Sequence, residues 1–251
     1  LNTDQKITGF PMTTNSSRPF VLVHGAGHGG WVWRYLSDLL TAAGHRVFTP
    51  TLTGLGERSH LLSDKITLST HIDDVVNVFR WEDLTNAVLV GHSYAGWVVS
   101  GAMEKLEGRV AGIVYLDAFL PDDGQCGFDF LNEQQKAAFN AAQEKGELSR
   151  PGPTSAGLRI QDPARAAWVD SKIAPQPIGV SLEKLTLSGA RDRVAKKIYV
   201  RTPLFPQPYF DAALQRCQND PAWEAIVLDG CGHDPMVDRP DAVRDILSSI
   251  P

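Results

Sequence analysis

From Phe20 onward the chain alternates short runs of β-branched and apolar residues with longer amphipathic stretches. That alternation restricts the fold to an α/β arrangement, a mostly parallel sheet with helices on both faces. Six strands are predicted, at Phe20–His24, Arg46–Thr49, Ala87–Gly91, Val110–Leu116, Lys197–Arg201 and Glu224–Leu228. Most are continuous apolar runs of the kind buried on both sides. Helices are predicted at Trp31–Ala43, Thr70–Phe79, Tyr94–Leu106, Tyr209–Cys217 and Ala242–Ile250. Gly44 stands where a left-handed helix stop belongs, and Pro240 and Asp241 open the last helix.

One interval breaks the rhythm. Between Leu116 and Lys197 the chain is rich in Pro, Gly and helix formers, including the stretch 131–146 and the turn-like Arg150–Pro153. An excursion of that length between two strands reads as a lid. The predicted division is therefore a core of residues 19–118 and 196–251, a helical cap of 119–195 inserted after the strand ending near Leu116, and a leader or cloning remnant over 1–18. The cap aromatics Phe128, Phe130, Phe139 and Trp168 could cover an apolar pocket or pack on one another.

Charge and cysteine usage narrow the function. With 24 Lys and Arg against 29 Asp and Glu, and no basic block, nucleic acid is not an expected partner. No apolar run reaches the roughly 20 residues that cross a bilayer, so no membrane partner is expected. Cys126, Cys217 and Cys231 form neither a C-x-x-C motif nor a Cys/His cluster. Neither a disulfide framework nor a metal site is predicted, and such thiols suit a cytoplasmic location. The sequence leaves the oligomeric state open.

The segment Ala87-Val88-Leu89-Val90-Gly91-His92-Ser93-Tyr94-Ala95-Gly96 is an apolar strand running into a serine with small neighbours and then into a helix. This is the form of a nucleophile elbow, where a strained turn lifts a hydroxyl above the sheet. Ala95 stands where the usual second glycine would be. The other reading of Ser93 is a cap on the following helix. A serine nucleophile needs a base within hydrogen-bond reach, and His233 lies in the loop directly after the last strand, where it can converge on Ser93. The remaining histidines take plainer roles. His45, His60 and His71 read as solvated or capping, His92 as packing, and His24 and His28 as supports of a glycine-rich turn.

That turn, His24-Gly25-Ala26-Gly27-His28-Gly29-Gly30, follows the first strand and can aim backbone N–H groups at a developing oxyanion. The N–H groups of Ala26 and Tyr94 are the predicted donors. Gly25, Gly27 and Gly30 also match G-x-G-x-x-G, but the next strand leads into Pro50-Thr51-Leu52-Thr53-Gly54 without the acidic residue a dinucleotide ribose needs. No cofactor is predicted.

With these motifs the chain resembles the α/β-hydrolase superfamily from Phe20 to its end. The runs F-V-L-V-H-G-A-G-H-G-G-W-V-W, P-T-L-T-G-L-G-E-R, G-H-S-Y-A-G and G-H-D-P-M are similar to the branch of plant methyl esterases, hydroxynitrile lyases and bacterial esterases. The resemblance implies an α/β-hydrolase fold and a cofactor-free serine hydrolase with a cap over a mostly apolar pocket. Hydroxynitrile lyases of that branch carry threonine after the first histidine of H-G-A and lysine after the catalytic histidine. Gly25 and Asp234 stand at those places here, so ester hydrolysis is the stronger expectation and cyanohydrin cleavage at most a side activity.

The third member of the triad is the open choice. The usual position, after the penultimate strand, reads Thr202-Pro203-Leu204-Phe205-Pro206 and holds no carboxylate before Asp211. Asp117, at the end of the strand after the nucleophile helix, is the favoured acid, with Asp211 and then Asp234 or no carboxylate at all as alternatives. The expected activity is hydrolysis of small to medium, largely apolar carboxylic esters through an acyl-enzyme. Lactone, carbamate or amide cleavage shares the same geometry, and a hydrolase-like receptor with little turnover is the rival class. Trp31, Trp97, Phe119, Phe128 and Trp168 are the candidate pocket lining.

Overall fold

The computed structural model describes residues 18–250, so the leader expected over 1–18 lies, apart from Arg18, outside the described residues. The main sheet holds β1 (Phe20–Val23), β2 (Val47–Phe48), β3 (Ala87–His92), β4 (Val110–Leu116), β7 (Lys196–Arg201) and β8 (Trp223–Val227). Their order is β2-β1-β3-β4-β7-β8, every neighbouring pair parallel. The order turns back at β1, which lies between β2 and β3, and beside such a reversal the loops leaving the strand ends open a crevice.

Alternate side chains of the central strands feed two apolar layers, as a pleated strand dictates. Val21, Val23, Leu89, Ile113 and Tyr199 face α2 (Leu68–Trp81), α3 (Ala95–Leu106) and α7 (Pro208–Gln218). Leu22, Val90, Val114 and Val200 face α1 (Arg34–Ala42) and α9 (Pro240–Ser248). The elements follow the predicted order with shifted ends. Helix α2 begins two residues early because Thr67 caps it, its own N–H donating to Thr70 Oγ1 at 3.1 Å. Strand β2 keeps two residues, and the proline at position 50, which lacks an N–H, follows close behind.

Between β4 and β7 lie α4 (Glu133–Glu144), α5 (Ser155–Leu158), α6 (Pro163–Asp170) and an antiparallel ribbon of β5 (Ser149–Arg150) and β6 (Gln176–Pro177). The short α8 (Pro235–Asp238) precedes α9. The aromatics of the 119–195 segment pack on one another and on the core. Phe128 meets Phe139 at 5.2 Å, Phe130 meets Trp97 at 5.1 Å, and Trp168 meets Trp31 at 5.2 Å between ring centroids.

The approach of α3 to the chain leaving β4 depends on Gly96, where a Cβ would run into the carbonyl oxygen of Phe119. Gly96, one position beyond the usual elbow glycine, is where this fold needs the missing side chain. Gly96→Val is expected to lower stability by about 3 kcal/mol or more, as overpacking against backbone does. A urea midpoint unchanged from the parent would contradict this.

Candidate active site

The sheet register brings the two key loops side by side. His92 of β3 pairs with Leu116 of β4, so the next residue of each strand, Ser93 and Asp117, emerges at the same carboxyl edge. Both carry left-handed backbone, φ +54° at Ser93 and +45° at Asp117, a conformation that costs a non-glycine residue on the order of 1–3 kcal/mol. Neighbouring backbone hydrogen bonds hold the turn. Ser93 N–H donates to Leu116 O, and Ser93 O accepts from Gly96 and Phe119.

Ser93 Oγ lies 2.7 Å from His233 Nε2, and His233 Nδ1 lies 2.6 Å from Asp117 Oδ2. A hydroxyl, an imidazole and a carboxylate thus form one continuous relay, able to draw a proton from the hydroxyl and return it. The second oxygen of Asp117 accepts from Arg201 Nη1 at 2.8 Å and Thr202 N at 3.0 Å. Burial would push the Asp117 carboxyl up, but the His233 hydrogen bond and charge, the Thr202 N–H and the Arg201 charge together hold it below the usual carboxylate range.

Asp211, the alternative acid, sits on α7, largely exposed. It accepts from Arg201 Nε at 2.8 Å and has no hydrogen bond to His233. Arg201, at the end of β7, therefore joins both acids, and only Asp117 reaches the imidazole. Asp234, the third alternative, faces away from the relay. It is fully buried, 2.9 Å from His28 Nε2 and 3.4 Å from His92 Nε2. Burial would raise its pKa, but the charge and hydrogen bond of His28 hold it well below the usual range.

His28 Nδ1 also donates to Ala26 O at 2.8 Å. One buried imidazole thereby ties the loop after β1 to the residue following His233. His92 Nε2 donates to His233 O at 2.8 Å, and burial holds His92 neutral with a pKa lowered to about 3. The N–H groups of Ala26 and Tyr94 have no acceptor among the described residues. Phe205 stacks on the His233 ring with centroids 4.0 Å apart. Arg201 and Phe205 escaped the sequence reading because their roles depend on which loop ends converge.

His71 corrects an expectation. It is fully buried on α2, bonded to Tyr94 Oη at 3.0 Å and Thr53 O at 2.9 Å, with burial lowering its pKa to about 4. Its place on the inner face of α2, beside Ile72 and Val75, is the signal that could have shown it to be inside.

A cavity of about 360 Å³ opens over Ser93 and His233. None of Trp31, Trp97, Phe119, Phe128 or Trp168 lines it. Each packs instead against other aromatic rings. Pro151, Pro153, Leu158 and Phe205 supply its apolar wall, and Arg150 and Gln176 add polar groups. Gln176 is buried, its Oε1 accepting from Gly27 N at 2.8 Å. No cluster able to hold a metal ion occurs among the described residues, nor any helix long and apolar enough to cross a membrane.

A parallel sheet with a serine elbow at one strand end and a histidine loop after the last strand is the scaffold of an α/β-class hydrolase. The chain belongs to the alpha/beta hydrolase family, whose family model matches residues 20–246. It is 34% identical over 239 residues to a carbendazim hydrolyzing esterase of Nocardioides sp. (strain SG-4G), covering 92% of this chain and 98% of that protein. It is 24% identical to a putative chloroplastic methylesterase 15 of Arabidopsis thaliana, over 93% of this chain, and spans 56% of that longer protein. Among solved structures, an extracellular alpha/beta-hydrolase from a Paenibacillus species shares the fold with a TM-score of 0.78 at 24% identity, covering 93% of this chain and 98% of that one. The esterase and methylesterase names of these relatives support a hydrolase of the esterase kind.

Proposed function

We propose that the chain is a serine-dependent carboxylic-ester hydrolase working through an acyl-enzyme. The observation that carries this reading is the unbroken Ser93–His233–Asp117 relay, with links of 2.7 and 2.6 Å. Ser93 Oγ attacks the ester carbonyl carbon while His233 Nε2 takes its proton. Asp117 accepts the Nδ1–H and so keeps the free lone pair of the ring on Nε2. The free N–H groups of Ala26 and Tyr94 bind the oxyanion, each donor contributing about 3 kcal/mol to the transition state. His233 then protonates the departing alkoxide and the alcohol leaves. A water deprotonated by the same imidazole attacks the acyl carbon, and the acid is released with Ser93 restored.

The cavity volume suits a small to medium ester. The methylesterase relatives favour a methyl leaving group, and the name of the carbendazim hydrolyzing esterase favours including methyl carbamates in the test. Cyanohydrin cleavage has no support in this pocket, since Asp234 occupies the place of the lysine and is held in a buried pair with His28.

A fluorophosphonate probe should add one phosphonyl group at Ser93, found by peptide mass mapping. Ser93→Ala should lose both labelling and p-nitrophenyl ester turnover, by about a millionfold in kcat. Turnover that survives Ser93→Ala would end the serine mechanism. A labelled wild type that turns over none of the esters or carbamates would favour the receptor reading.

A further inference from the structure

The cavity over Ser93 carries a positive charge with no partner among the described residues. Residues 150 and 176 are register partners across the β5/β6 ribbon, which places their side chains on one face. Both line the cavity that holds Ser93 and His233, together with Pro153, whose loop packs against Gly27. Gln176 is buried and its amide is oriented, because Oε1 takes the Gly27 N–H. That leaves Nε2 as a buried donor without an acceptor. Arg150 Nε is likewise buried and without an acceptor among the described residues. Among the described residues no Asp or Glu lines this cavity, and burial disfavours the guanidinium charge, with the Tyr94 phenol an acidic neighbour that favours it.

Two buried donors, one of them cationic, on the same wall as a nucleophile call for an acceptor that arrives with the substrate. We propose that the acyl part of the substrate ends in a carboxylate, held by Arg150 and Gln176 while Ser93 takes the ester carbonyl. The substrate class is then the monoester of a dicarboxylic acid. This rests on the serine-ester reading above for its chemistry, though the anion subsite itself does not need turnover. A guanidinium fork and a carboxylate match in shape as well as charge.

The test compares kcat/KM for the monomethyl esters of succinate, glutarate and adipate with neutral esters in which an isopropyl group replaces the carboxylate. Wild type should favour at least one hemiester over its isostere by about 10- to 100-fold. That ratio should fall to near one in Arg150→Gln and be partly kept in Arg150→Lys. Glutarate binding, followed by calorimetry, should weaken in the same order. A wild type that prefers the neutral ester in every pair overturns the proposal without any variant, as does a hemiester preference that persists in Arg150→Gln. Arg150-dependent glutarate binding without turnover of any ester would keep the subsite and end the esterase reading. Ser93-dependent turnover without hemiester preference would do the reverse.

Discussion

Asp117→Asn is expected to lower kcat on a p-nitrophenyl ester by about ten-thousand-fold with little change in KM. The asparagine oxygen can still accept from Arg201 and Thr202, as Asp117 Oδ1 does now. Its amide nitrogen then faces His233 Nδ1 and donates to it. The imidazole must in turn carry its proton on Nε2, toward Ser93, where a base is needed. The loss comes from the wrong tautomer rather than from a displaced ring, so near-UV circular dichroism should match the wild type. Asp211→Asn touches the relay only through Arg201 and should stay within about tenfold of wild type, because Arg201 keeps Asp117 and the Thr202 and Phe205 carbonyls. Steady-state kinetics on the two variants decides the matter, and the opposite ranking would move the acid to Asp211.

The second large effect is on stability in acid. His24, His71 and His92 are buried, and burial is the main cause that lowers their pKa values from 6.5 to about 3, 4 and 3. The unfolded chain binds protons on these rings near pH 6.5 while the folded chain does not. Their contribution is therefore complete above pH 6.5 and is lost as pH falls toward 4 and 3, with a slope of up to about 1.4 kcal/mol per pH unit for each ring. By pH 4.5 the loss is on the order of several kcal/mol, comparable with the whole stability of an ordinary domain. His28 acts in the other direction. Burial alone would lower it, but the Asp234 charge and hydrogen bond raise it, so its contribution is present below pH 6.5 and fades as pH rises through the raised value. Three rings outweigh one, and Tm measured by calorimetry should fall steadily from pH 6.5 to 4.5. A Tm flat down to pH 5 would refute this.

The same histidines show how far residue patterns reach. Periodicity was enough for the sheet, because a strand buried on both faces must be apolar throughout, and Val88–Val90 or Ile113–Leu116 can be little else. Ser93 and His233 stood out as candidates for a related reason. A hydroxyl between small residues at a strand-to-helix turn, and a histidine after the last strand, are local arrangements with few other uses. The polar interior had no such local sign. His71 looks like any helix-start histidine until Thr53 and Tyr94 are placed against it.

The choice between Asp117 and Asp211 also lay beyond local pattern, since each follows a strand that ends at the same edge of the sheet. The register of β3 on β4, which sets Asp117 beside Ser93, and the 2.6 Å contact of Asp117 with His233 Nδ1 distinguish them, and both arise from pairings between residues far apart in the chain. The pocket wall is the extreme case. Five large aromatics looked suited to it, but they pack against other aromatic rings, while a two-residue ribbon brought Arg150 and Gln176 to the cavity that holds Ser93. Backbone periodicity and strained turns are short-range properties, carried by neighbouring residues and readable from them. Which side chains meet over a cavity is a long-range property, decided only when the whole chain has been packed.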